Sequence, residues 1–237
     1  MDNRTIKNWT LGLSILTSSL FTQLNAHPIN DPQRLARFEL EEFYSFHCHR
    51  PSDIHEHLPT LRKYAKECST VVELGVRNVV STWGLVLGLA ESSAQERSYI
   101  GIDIDVPTPK IFKLVSELAP ENGVSFQYLL ANDMDIEICE TDLLFIDTLH
   151  IYAQLRYELE KFCPQVRKYI IMHDTTSYDY SNCLSYQGDY SEYPTDISRT
   201  KRGLWPAIED FLESHPEWRI LKRYSNNNGL TVLVRNQ

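Results

Sequence analysis

The chain has 237 residues, 42% hydrophobic and 23% charged, which is ordinary globular usage and excludes wholesale disorder or a fibrous fold. Its 23 Lys and Arg against 32 Asp and Glu leave a net charge of −9, too little cation to grip a nucleic acid backbone. Cys48, Cys68, Cys139, Cys163 and Cys183 form no Cys-x-x-Cys pair, so neither a disulfide framework nor a thiolate zinc site is indicated.

Residues 1–26 admit two readings. Arg4 and Lys7 precede a mostly apolar stretch, and Leu24-Asn25-Ala26 ends in a small residue, the order of a secretory signal. Thr10, Ser14, Thr17, Ser18 and Ser19 dilute that stretch, as an N-terminal helix would. It is too short to span a bilayer, and no other segment is expected to cross one.

Residues 27–69 read as a helical lead-in. Leu35, Phe38, Phe43 and Phe46 recur near one face over residues 31–45, with Pro32 suited to a first turn. A break at His47-Cys48-His49-Arg50-Pro51 follows, then Ser52 or Asp53 as caps, with Glu56 in capping-box spacing, and Pro59 in a helix running to about residue 68. His47, Cys48, His49, His55 and His57 invite a zinc reading. No recognised ligand spacing supports it, and His-x-His side chains leave a helix on different sides.

From residue 70 the pattern alternates. Apolar runs at 70–74, 98–104, 124–129, 142–146 and 169–172 read as strands, and helical stretches at 81–90, 109–118 and 151–162 lie between them, the first with Ser81 as a plausible cap. Strands apolar throughout and separated by helices argue for a parallel sheet covered on both faces. After a helix at 205–213, two β-rich runs at 218–224 and 230–235 flank Asn228-Gly229, a hairpin signal. The long polar segment 175–202, with Tyr178, Tyr180, Tyr186, Tyr190 and Tyr193, reads as a binding loop.

Chemistry is expected where parallel strands end. Glu73, Asp103, Asp147 and Asp174 fall at four such exits, and four acids at one edge are costly to hold together without a cation or polar ligand. Gly75 lets the backbone approach a ligand, although Gly-x-Gly-x-x-Gly is absent. Asp103 stands where a carboxylate accepts ribose hydroxyls in mononucleotide-binding folds, or is a plain surface acid.

The motifs Val71-Val72-Glu73-Leu74-Gly75, Tyr99-Ile100-Gly101-Ile102-Asp103, Asp142-Leu143-Leu144-Phe145-Ile146-Asp147 with His150 and Tyr152, and Ile170-Ile171-Met172-His173-Asp174-Thr175 resemble those of class I S-adenosylmethionine-dependent methyltransferases. The branch they are similar to holds small-molecule and sugar O-methyltransferases and cephalosporin-hydroxylase-like proteins. That resemblance, over roughly residues 70–235, implies an α/β domain at 70–237: a Rossmann-like, doubly wound, mostly parallel seven-stranded sheet ending in an antiparallel hairpin. It further implies that Glu73 and Gly75 border the methionine part of S-adenosylmethionine, that Asp103 holds its ribose, and that Asn132 and Asp133 flank its adenine. Asp147, His173 and Asp174 take the positions that hold a divalent cation such as magnesium, with His173 where that branch usually has a carboxylate.

His150, three residues after Asp147, takes the place of a base in related sugar O-methyltransferases; its other reading is a cap for the following helix. Arg199, Lys201 and Arg202 form a basic cluster able to clamp an anion, or merely solvated. The resulting expectation is an O-methyltransferase acting on a hydroxyl of a small molecule or sugar, metal-assisted, with an oligomeric state left open. The alternative is a non-catalytic binding or interaction protein that kept the fold. A nicotinamide oxidoreductase is disfavoured by the missing glycines. A cytoplasmic location suits an enzyme using a cytoplasmic cofactor, with a secretory signal as the competing reading.

Overall fold

The computed structural model describes residues 31–183 and 190–236. The signal-or-helix reading of residues 1–26, the first residues of the lead-in and Tyr186 lie outside the described residues.

The lead-in contains α1, Pro32–His49, and α2, Leu58–Ala65, joined through a 3₁₀ turn at His55–His57. Asp31 caps α1 by accepting from the Gln33 amide at 3.1 Å, and Pro32 opens it as expected. The expected capping box at Asp53 and Glu56 does not form. Asp53 is drawn 2.5 Å from the Arg77 guanidinium, and Glu56 accepts from Asn226 in the distant hairpin. The histidines also disperse. His47 stacks on Trp83 at 5.7 Å, His55 turns back onto Ser52, and His57 reaches the Asn226 carbonyl.

The remaining elements are β1 (Thr70–Leu74), α3 (Val80–Ala90), β2 (Ser98–Asp103), α4 (Pro109–Glu121), β3 (Ser125–Leu130), β4 (Thr141–Ile146), α5 (Tyr152–Phe162), β5 (Val166–His173), α6 (Leu204–Ser214), β6 (Trp218–Tyr224) and β7 (Leu230–Arg235). They build one seven-stranded sheet in the order β3-β2-β1-β4-β5-β7-β6. Strands β1 to β5 pair in parallel, while β7 runs antiparallel to both β5 and β6. The expected topology is therefore the observed one. Strand β5 begins three residues earlier than its apolar run because Arg167 and Lys168 stand at its exposed start, paired with Asp142.

Each face of the sheet carries its own core. Leu40, Leu61, Trp83, Leu85 and Leu118 from α1 to α4 cover one side together with Val71 and Phe145. Leu155, Leu159, Phe162, Ile208 and Phe211 from α5 and α6 cover the other against Leu74, Leu144 and Ile170. Burying such side chains on both faces is what fixes β1 and β4 at the centre. Helix α3 is buried on every side and lies tight on α2: a Cβ at Gly88 would come 2.5 Å from the Arg62 carbonyl oxygen. That contact ties the lead-in to the sheet domain. Among the described residues no helix is long and apolar enough to cross a membrane.

Candidate active site

The exits of β4 and β5 lie side by side, and four side chains meet there. Asp147 follows β4, His173 ends β5, Asp174 comes next, and His150 lies in the turn before α5. His150 Nε2 is 3.3 Å from Asp147 Oδ1 and 2.9 Å from Asp174 Oδ2. His173 Nδ1 is 3.3 Å from Asp147 Oδ2 and 3.5 Å from Asp174 Oδ2. One oxygen or nitrogen from each of Asp147, His173 and Asp174 lies within 4.8 Å of the other two, close enough to share one ion. Asp174 is held at φ 59°, a left-handed conformation that aspartate tolerates better than most residues.

The tautomer of His173 follows from its surroundings. Its Nε2 lies 3.1 Å from the Asn227 carbonyl, an acceptor only, so Nε2 carries hydrogen and donates. Nδ1 therefore points at two carboxylates, and it holds either a second proton or a cation. Both His173 Nδ1 and Asp174 Oδ1 are buried without a hydrogen-bond partner, a cost that a shared ligand would remove.

The charges are strongly coupled. Burial opposes charge on His150, but hydrogen bonds and attraction from Asp147 and Asp174 outweigh it and raise its pKa to about 9. Burial would push Asp147 up, yet His150 and His173 hold its carboxyl well below the usual range. His173 is raised in the same way, with Asp147 prevailing over burial. Asp147 and the two histidines thus favour one another's charged forms.

The other two strand-end acids do not join this cluster. Glu73 is fully buried beneath α3, where it accepts from Ser81, Thr82 and Tyr99 hydroxyls. Ser81 is spent on that contact, and Val79, at φ 55°, precedes the helix with no side-chain cap. Burial pushes Glu73 up to about 7 despite the three donors. Stability from this group is full below pH 4.5 and declines as pH rises through 7, because the raised folded pKa favours the neutral acid. Glu73→Gln should therefore flatten stability between pH 5 and 8 and gain about 1–3 kcal/mol over the parent at pH 8. Urea melts of both proteins across that range check this; parallel curves would contradict it.

Asp103 braces the loop between β1 and α3. Its Oδ2 accepts from the Val76 and Arg77 amides, each at 2.8 Å, and its Oδ1 from Asp105 at 3.0 Å. Gly75, at φ 82°, lies directly against the β4 exit, where an added Cβ would sit 2.0 Å from the Asp147 carbonyl oxygen. The glycine-poor loop nevertheless adopts left-handed geometry again at Arg77 and Val79. Asn132 caps the 3₁₀ turn Asp133–Asp135 by accepting from the Met134 amide, and Asp133 is turned inward onto Gln154.

The sequence placed Tyr178 in a binding loop but carried no signal for its partner. Tyr178 stacks on His150 with ring centroids 4.7 Å apart, and the Cys183 amide donates to the His150 carbonyl. These contacts lay the polar loop across the cluster. The hairpin tip supplies Asn227 to His173. Lys201 is committed to Asp210, and Arg202 folds over Tyr190, so neither is held out as an anion clamp.

No protein-family model matches the sequence, and a search of curated proteins found no match. Solved structures do resemble it. An O-methyltransferase from Bacillus cereus, in complex with SAH, aligns at TM-score 0.51 and 15% identity, covering 92% of this chain and 97% of that one. The cofactor-bound protein Rv0187 from MTB aligns at TM-score 0.52 and 13% identity, over 92% and 96% of the two chains. A protein from Corynebacterium glutamicum aligns at TM-score 0.51 and 16% identity, over 94% and 98%. The fold is that of the class I methyltransferases. In this methyltransferase fold, the Asp147–His150–His173–Asp174 cluster occupies the carboxyl edge of the sheet at the exits of β4, the middle strand of the seven, and its neighbour β5, the edge where open α/β sheets bind their ligands.

Proposed function

We propose that the protein is an S-adenosylmethionine-dependent O-methyltransferase acting on a hydroxyl of a small molecule or sugar. The observation that carries this reading is the convergence of two carboxylates and two imidazoles at the β4 and β5 exits, within a fold whose solved neighbours include SAH complexes. Gly75 and the loop after it would border the methionine part of the cofactor, Asp103 its ribose, and Asn132 with the adjoining turn its adenine. Asp103 keeps acceptor capacity for this, since a carboxylate offers about four lone-pair sites and three backbone amides occupy it here. Glu73 acts from beneath, by holding α3 on β1.

The residues at the strand exits fit a divalent cation, because the orphaned Nδ1 of His173 and Oδ1 of Asp174 lie in the same buried cluster. Asp147, His173 and Asp174 would hold it. Two carboxylates suit magnesium, and an imidazole among the ligands also suits manganese or iron. Such an ion, when bound, lowers the charge on a hydroxyl oxygen at the site.

The reaction is a displacement at a sulfonium methyl group: the substrate oxygen forms a bond to carbon, the carbon–sulfur bond breaks, and sulfur keeps the electron pair. The protein has to align oxygen, carbon and sulfur and take up the hydroxyl proton. His150 is placed for the proton, because Nε2 lies within the cluster and Tyr178 stacks on the ring to fix its plane. Its protonation is governed by Asp147 and Asp174, so only engagement of those carboxylates elsewhere frees the ring to act as a base. Tyr178 and its neighbours in the polar loop would wall the substrate.

The cofactor assignment is tested by titrating S-adenosylhomocysteine into the protein by calorimetry. Asp103→Ala should weaken binding at least about tenfold, the cost of one or two charge-assisted hydrogen bonds. Unchanged affinity in that variant would remove the ribose role.

A further inference from the structure

Away from the histidine–aspartate cluster, one face of α5 carries a second buried polar network. Gln154, Tyr157, Glu158 and Lys161 recur at spacings of three and four, so they share one side of the helix. That side grips the turn after β3. Lys161 Nζ donates to the carbonyls of Asp133 and Met134 at 3.1 and 2.6 Å, and the Tyr157 hydroxyl donates to Met134 O at 3.3 Å. The Gln154 amide nitrogen donates to Asp133 Oδ2 at 3.1 Å and to Glu158 Oε1 at 2.8 Å. Thr148, next to Asp147, also donates to Glu158 Oε1, at 2.6 Å.

Two acids lie close together in this network. Glu158 is fully buried, and Asp133 is 8% exposed. Glu158 Oε1 accepts twice, whereas Oε2 has no partner. A buried oxygen without a donor favours the neutral acid, in which Oε2 can carry the hydrogen. Burial first and the Asp133 charge second hold Glu158 well above the carboxylate range.

The remaining atom of the Gln154 amide faces the other way. Its Oε1 accepts from the Tyr193 hydroxyl at 2.8 Å, and Tyr193 belongs to the polar loop and is 6% exposed. The Gln154 amide thus joins the Tyr193 segment to the turn after β3 with both ends of its dipole used, beside a ring contact of Tyr193 with Tyr157 at 6.4 Å. Rotating the amide would place oxygen against two acids, so the orientation is set.

We infer that Gln154 is a positioning residue: it couples the seating of the Tyr193 segment to the cofactor's adenine edge. This rests on the proposed cofactor reading, since the turn at Asn132 and Asp133 is the part that would flank adenine. Loss of the Tyr193 hydroxyl leaves Gln154 Oε1 buried without its donor; the side chain shifts to regain one, its hold on Asp133 weakens, and the turn loosens although no cofactor contact has been removed.

Calorimetry with S-adenosylhomocysteine on the full-length protein tests the coupling. Tyr193→Phe should weaken binding about three- to tenfold, and Gln154→Leu at least as much. The double variant should bind like Gln154→Leu alone, because both substitutions break one connection. Glu158→Gln, which keeps a neutral donor beside Asp133, should retain affinity that Glu158→Leu loses. Tyr169→Phe, which removes a hydroxyl that donates to Glu67 away from both segments, should bind like the parent. Additive losses in the double variant, or parental affinity in Tyr193→Phe, overturn the coupling while leaving the cofactor reading intact. A parent protein that binds no S-adenosylhomocysteine removes both. If Gln154→Leu fails to fold, the near-isosteric Tyr193→Phe and Glu158→Gln still decide.

Discussion

Asp147→Asn is expected to lower methyl transfer by about 100-fold or more while changing S-adenosylhomocysteine affinity by less than about threefold. Asp147 meets the two histidines with separate oxygens, one near His150 and the other near His173, whereas Asp174 approaches both through Oδ2 alone. An amide keeps the shape but removes the charge, and it presents NH₂ to a ring nitrogen that needs an acceptor. Both the orientation of His150 and the hold on a cation fail together, whereas Asp103 and Gly75 lie on other strand exits. Turnover, manganese affinity and S-adenosylhomocysteine affinity, measured on one preparation, separate these contributions. Equal losses of cation and cofactor binding would show that the cluster is misassigned.

Gly75→Ala carries the largest expected effect on folding, a loss of about 3 kcal/mol or more, from positive-φ strain added to backbone overlap. The added carbon would lie 2.0 Å from the Asp147 carbonyl oxygen and 2.7 Å from its carbon, both main-chain atoms of a central strand exit. The amides of Gly75 and Asp147 are themselves fixed, donating to Ile102 O and Leu74 O at 2.9 Å. Neither side has room to yield without breaking the ladder that aligns β1, β2 and β4. Gly123→Ala is the comparison. Its φ of 72° imposes similar strain, but the nearest atom is the end of the Arg97 side chain, which can swing away. Its cost should stay near 1 kcal/mol. Chemical denaturation of both variants gives the difference, and similar losses would mean that φ strain rather than the overlap dominates.

The sheet was legible because its strands are short apolar runs and its helices are amphipathic or wholly apolar, so periodicity alone separates them. The hairpin was legible from Asn228-Gly229, and Asn227, Asn228 and Gly229 do take positive φ. What misled was local chemistry that long-range partners override. Ser81 has the right type and place for a helix cap, yet it donates to Glu73 on the neighbouring strand. Asp53 suits a cap and is taken by Arg77. The strand-end acids were read as one group of four, and only the β4 and β5 pair converges. Side chains alternate across a strand, so a carboxylate one residue before the exit, as in Glu73, points into a helix layer and not along the edge.

The α/β class, the order of the elements and the set of acids and histidines from which a site could be drawn all follow from spacing along the chain, so the residues alone carry them. Which of them meet depends on the packing of distant segments. The hairpin tip arrives from more than fifty residues away to set the His173 tautomer. The Tyr193 hydroxyl reaches Gln154 across 39 positions. Neither distance carries a periodic signal: both contacts are made by surfaces that two packed layers bring together, and a hydrogen bond depends on position in space rather than on order along the backbone.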